Sequence, residues 1–253
     1  STSGDIHGKD ILKHFSGEAF FPETFFPREK VISEKENSLF FLKNIKKDNG
    51  EGIKLLKYQD IPPIVPNNHI LQPEIETELY HKRKFDIRVL VCVKRTGEIM
   101  IYKNLLYKVN PNIFTRPSGE TVDISNYVNH SSVHGDNSIG FFEKTHPGEL
   151  NIEDYLRQLE QIIPRIYSKF LPISNTGYYD ALDESFIFGG LDFIQEKNSN
   201  KLLFIELNVT PGWVRDFGLE NYQTFYHLAT DFILGKEHNT DECIYTSIKT
   251  LSK

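Results

Sequence analysis

The sequence predicts an α+β fold carried mainly by strands, and three features lead there. Short apolar runs of strand length recur through the first half, and Lys84–Lys94 (KFDIRVLVCVK) opens on alternating apolar and charged residues. Apolar residues take helical spacing in two places only, from Asn151 and from Asn221. Between those helices, Ile187–Gln195 and Leu202–Leu207 form an apolar pair around the polar turn Glu196–Lys201, where Asn198, Ser199 and Asn200 supply hairpin-loop chemistry.

Composition excludes several functions before any motif is considered. With 253 residues and 39% hydrophobic content, the chain can bury a core for one large domain or two small lobes. It has no apolar run of membrane-spanning length, and its opening STSGDIHGKD lacks the basic and apolar regions of a signal peptide. A net charge of −6 argues against nucleic acid, whose binders draw most of their affinity from a basic surface. The two cysteines, Cys92 and Cys243, are too few and too far apart for a disulfide framework or a zinc site, which points to a reducing cytoplasm.

Residues 1–38 are polar with an aromatic knot (Phe15, Phe20, Phe21, Phe25, Phe26) broken by Pro22 and Pro27, so an extended segment anchored on the core is expected. Leu39–Lys43 is a buried strand whose terminal lysine can reach a site, and Ile53–Leu56 is its successor. Between them Gly50 and Gly52 permit positive φ, so that backbone N–H groups can face an anion. After the stiff stretch containing Pro62, Pro63 and Pro66, His69–Gln72 forms another strand running into Pro73, Glu74 and Ile75.

In Lys84–Lys94, residues Phe85, Ile87, Val89, Val91 and Val93 share one face, while Lys84, Asp86 and Arg88 share the other. Three charges in a row on so β-prone a strand are costly unless they pair or bind something. They form either a salt-bridge ladder or a binding face, with Lys84 on a phosphate, Asp86 on a ribose hydroxyl or metal-bound water, and Arg88 on an anionic substrate. Glu98–Lys103 is the expected antiparallel partner, continued by Leu105–Lys108. Residues 126–148 are polar; His130, His134 and Asp136 invite a zinc reading, but a mobile loop over the site describes the stretch better. The helix from Asn151, with that residue as N-cap, should kink at Pro164; the helix Asn221–Leu234 should end on Gly235, leaving a loosely packed polar tail.

The closing hairpin carries acids where its neighbours are greasy: Asp192 between Leu191 and Phe193, and Glu206 between Ile205 and Leu207. Asn208 follows Glu206 by two residues and so shares its face. Taken singly, each is an edge-strand carboxylate facing water. Together, followed at once by Thr210-Pro211-Gly212, they form a hard-oxygen set suited to Mg²⁺.

GLDF (190–193), FIELNVTPG (204–212) and, above all, RKFDIR at residues 83–88 resemble the tubulin tyrosine ligase-like family of the ATP-grasp superfamily. The resemblance implies an ATP-grasp fold with the nucleotide between two β-rich lobes. The smaller lobe would be 39–75 and the larger 76–236, with an N-terminal segment 1–38 and a tail 237–253. It also implies that Lys43 with Gly50, Glu51, Gly52 and Ile53 holds ATP phosphates, with the Glu51 side chain turned away. Gln72, Glu74 and Ile75 would meet the adenine edge, and Ile194 would form the apolar floor beneath it. Asp192, Glu206 and Asn208 would hold Mg²⁺ across the β- and γ-phosphates.

Lys108 stands where relatives place an arginine that stabilises an acyl-phosphate, Arg116 is the fallback, and Ile124-Ser125-Asn126 corresponds to the family's L-T-N motif, which makes Asn126 a candidate. The implied activity joins an amino acid to a protein or peptide: a carboxylate attacks the γ-phosphate, then an amine displaces phosphate from the acyl-phosphate. Three departures keep tubulin from being inferred as the acceptor. Lysine at 108 offers a point charge in place of a fork, the net charge is acidic, and only 38 residues precede the Leu39 strand where relatives generally carry a further domain. The alternatives are a kinase on the same scaffold, which would need a basic cluster near Arg88, Lys103, Lys108 and Arg116, and a nucleotide-binding module without turnover.

Overall fold

Strand-prone runs pair into two sheets in a computed structural model that describes residues 10–31, 38–47, 52–116, 124–127, 141–143, 150–174, 186–208, 219–236 and 240–248. The smaller sheet has three antiparallel strands: Leu39–Asn44 (β1) lies in the middle, between Ile53–Lys57 (β2) and His69–Pro73 (β3). Alternation divides its side chains. Phe40, Leu42 and Leu71 enter a small core with Val65, while Phe41, Lys43, Ile70 and Gln72 face a cavity shared with the larger sheet.

That larger sheet has seven strands, again with antiparallel pairing throughout the described residues. Phe85–Lys94 (β4) lies at its centre. Glu98–Tyr102 (β5) and Leu106–Val109 (β6) follow one another along one edge of β4, and Phe186–Gln195 (β8) covers the other edge. The register makes this explicit: Val91 meets both Ile101 and Gly189, and Arg88 meets both Leu106 and Asp192. Phe141–Glu143 (β7) adds to β6, Leu202–Asn208 (β9) adds to β8, and Cys243–Ser247 (β10) adds to β5. In the β8–β9 turn, Asn198 and Asn200 take positive φ (65° and 53°), the left-handed conformation that asparagine tolerates.

Two helices cover opposite faces of β4. Ile152–Ser174 (α1) starts where the Asn151 side chain accepts the Asp154 N–H (3.1 Å), and its Tyr155, Leu159, Ile163 and Ile166 pack with Ile87, Val89, Val91 and Val93. Each such side chain, fully withdrawn from water, contributes roughly 1.5–3 kcal/mol. Leu219–Ile233 (α2) lays Tyr222, Phe225, Leu228 and Ala229 over Leu90 and Cys92. Toward the β4 N-terminus Asp86 and Arg88 are only half-buried, while every residue from Val89 to Val93 is buried.

Two expectations are corrected, and the α1 helix runs without a break through Pro164. Residues 243–247 are a strand of the sheet with Cys243 buried, because β5 would otherwise present an open edge. The N-terminal segment opens with a 3-10 helix, Asp10–Phe15, whose Phe15 packs edge-on against Phe204 at 5.3 Å. His130, His134 and Asp136 lie outside the described residues.

Candidate active site

The cavity between the two sheets has a volume of about 180 Å³. Lys43 and Ile53 reach it from β1 and β2, Gln72 and Ile75 from β3 and its exit, and Asp86, Lys108, Asp192 and Glu206 from the larger sheet. Ile194 lines it two residues beyond Asp192, as strand alternation requires.

Its charged end is organised around Asp192, which is 1% exposed. Arg88 grips this carboxylate as a fork, Nε to Oδ1 at 2.7 Å and Nη2 to Oδ2 at 2.8 Å, since β4 and β8 pair Arg88 with Asp192 directly. Lys108, one strand away on β6, donates to Oδ2 at 2.9 Å and stands 3.9 Å from Asp86 Oδ2. The Asn208 amide approaches Oδ2 at 3.5 Å. Burial alone would raise the Asp192 carboxyl; the Arg88 and Lys108 charges outweigh it and hold the group well below the usual carboxylate range. Glu206 sits opposite Asp192 in the β8–β9 register, so three carboxylates (Asp86, Asp192, Glu206) face two cations (Arg88, Lys108) here.

A bulge adjusts the floor. Asp192 pairs with Glu206 but Phe193 pairs with Phe204, leaving Ile205 as an extra residue in β9. Consecutive residues Ile205 and Glu206 therefore both line the cavity, which strict alternation would forbid.

Lys84, immediately before β4, lies 3.4 Å from Glu74 and over the rings of Phe114 and Tyr127 at 4.5 and 4.6 Å. Burial pushes its ammonium pKa down, against the Glu74 charge. Phe114 is placed by its N–H to Lys82 O (2.8 Å). Tyr127 is placed by the 3-10 turn Ile124–Asn126, which Asn110 fastens to the end of β6 by donating to Ser125 O at 2.9 Å.

Other expected residues fall less simply. Gly52 has φ +71°, and an added Cβ there would crowd Asn44 at 3.0 Å; Gly50 and Glu51 lie outside the described residues, as does the side chain of Asn126. Glu74 turns its carboxylate to Lys84 and gives its N–H to Leu39 O (2.6 Å). Arg116 is well exposed and pairs with Glu76 at 2.6 Å, away from the cavity lining. Sequence reasoning missed Phe114, Tyr127, Thr77 and Ile205; aromatic residues beside the L-T-N-like turn were the one available signal for Tyr127.

Among the described residues no cluster of three or more His, Cys, Asp and Glu side chains makes a self-contained metal cage. A family model described as tubulin-tyrosine ligase family matches residues 6–238. No curated protein matches the chain.

Proposed function

The chain belongs to the tubulin-tyrosine ligase family, and from that premise we propose that it is an ATP- and Mg²⁺-dependent ligase joining an amino acid to a protein or peptide. Membership supports an ATP-dependent ligase in general. The observation that carries the finer reading is the meeting of Lys108, Asp192 and Glu206 at one end of an otherwise largely apolar cavity between two sheets, with Arg88, itself outside the lining, gripping Asp192. Its lining, apolar along one stretch and charged at one end, matches the chemistry of a molecule with a flat apolar body and a polyanionic tail.

In this reading 39–75 is the smaller lobe and 76–236 the larger, and the nucleotide lies between them. Lys43, Gly50, Glu51, Gly52 and Ile53 hold phosphates, together with Lys84. Gln72, Glu74, Ile75 and Ile194 surround the base, and Asp86 meets the ribose. The donor set fits Mg²⁺: Asp192, whose carboxyl is held well below the usual range, and Glu206 are register partners, Asn208 lies beside them, and phosphate oxygens would complete the shell. When bound, the ion supplies charge neutralisation on the phosphates. Arg88 and Lys108 orient an anionic substrate carboxylate and neutralise the acyl-phosphate formed when it attacks the γ-phosphate and ADP leaves with the bridging oxygen; Asn126 assists. An amine then displaces phosphate and forms the amide. Positioning and fixed charge do the catalysis, and no side chain becomes covalently attached.

The kinase alternative calls for a basic cluster that includes Arg116, which is instead engaged with Glu76. Incubation with Mg²⁺-ATP, labelled amino acids and a host lysate, followed by mass spectrometry, should show amino-acid mass added to a protein and ADP release that is lost in Glu206→Gln. A phosphate ester as the product would favour the kinase, and ATP binding without ADP release the module without turnover.

A further inference from the structure

We propose that the Thr77 hydroxyl hydrogen-bonds the polar edge of the nucleotide base, which makes Thr77 a specificity-determining residue at the cavity end remote from Asp192. The inference rests on the ATP reading above and adds a contact that reading does not contain.

Thr77 is held firmly. It bridges Glu196 at the tip of the β8–β9 hairpin, and on either side Glu76 O accepts the Lys197 N–H at 2.8 Å and the Glu78 N–H donates to Gln195 O at 3.0 Å. Its neighbours take the outer face: Glu76 pairs with Arg116 and Lys197, and the Glu78 carboxylate accepts the Asn198 N–H. Alternation sends Thr77 inward, where it lines the cavity. Its Oγ1 is shielded from solvent and has no hydrogen-bond partner among the described residues. Valine has almost the same shape and would fill the spot without an unsatisfied hydroxyl, so packing does not account for the threonine.

Position says what the hydroxyl meets. Asp192 and then Ile194 face the cavity along β8, and Thr77 stands opposite Glu196, the next residue in that series. Four residues of extended chain place Thr77 roughly 13 Å along the strand from Asp192. A nucleotide with its phosphates at Asp192 and its base over Ile194 turns the far edge of that base toward Thr77. Gln72, another uncharged polar side chain on the lining, already donates its Nε2 to Thr24 (2.8 Å). Tyr127, the second lining residue whose hydroxyl lacks a partner among the described residues, has its ring against Lys84.

Binding of ATP and of ribose 5′-triphosphate, which has no base, should be measured with Mg²⁺ for the wild type, Thr77→Val and Thr77→Ser, each first checked for folding by urea denaturation. Thr77→Val should weaken ATP binding about tenfold, the scale of one buried neutral hydrogen bond, and leave ribose triphosphate within about twofold. Thr77→Ser should bind ATP like the wild type. Unchanged ATP affinity in Thr77→Val, an equal loss for both ligands, or a Thr77→Ser variant as weak as Thr77→Val would each overturn the proposal. Wild type that binds no ATP would overturn the ATP reading itself, and the inference with it.

Discussion

Asp192 shows how far a single buried acid depends on its neighbours. Its burial is tolerable because Arg88 and Lys108 both donate to it, and removing its charge would strand two cations in a partly desolvated site. Asp192→Asn should therefore cost about 3–5 kcal/mol in urea unfolding at neutral pH. The same pair sets a pH dependence. Because the folded-state carboxyl lies below its unfolded value of about 3.9, its contribution is complete above that pH and is lost as pH falls below it. The stability gap between wild type and Asp192→Asn should accordingly shrink between about pH 4 and pH 2; a gap that stays constant would mean the ion pairs contribute nothing. Asp192, Glu206 and Asn208 were legible in sequence because acids inside apolar strands are costly without a purpose. That Arg88 and Lys108 both close on Asp192 was not, since it takes three strands in register to bring them together.

At the scale of elements, spacing was a good guide wherever one face is buried. The hairpin, both helices and the strand 85–94 stand where alternation and helical period place them, with ends shifted by a residue or two. It failed where the deciding partner is remote: β10 is a strand because β5 offers it an edge, and nothing in a polar tail announces that edge. Gly189 illustrates the same dependence. It lies in β8 beneath α1, and a Cβ there would collide with Tyr167 Oη and press on Val91. Tyr167 is fully buried and cannot swing aside, so Gly189→Ala should lower stability by about 1–3 kcal/mol, read as a lower urea midpoint with unchanged slope.

For the whole molecule, the consequence is a cavity with walls from two sheets, so that a bound ligand ties them together. Mg²⁺-ATP at about a hundred times its dissociation constant should add about 2.7 kcal/mol to unfolding, seen as a rise in melting temperature. Glu206→Gln should abolish most of that rise under the same conditions. By itself the sequence determined the central strand, the hairpin and the acids within it, because alternation, turn residues and a charge in a greasy strand are local signals, and the strings RKFDIR, GLDF and FIELNVTPG carried the family. Only the tertiary structure decided that Ile205 and Glu206 share a face, that Lys108 and Arg88 meet on one carboxylate, and that Thr77 looks into the cavity. Each of those follows from a bulge or a register between strands far apart in the chain, and pairing over that distance leaves no period in the sequence to read.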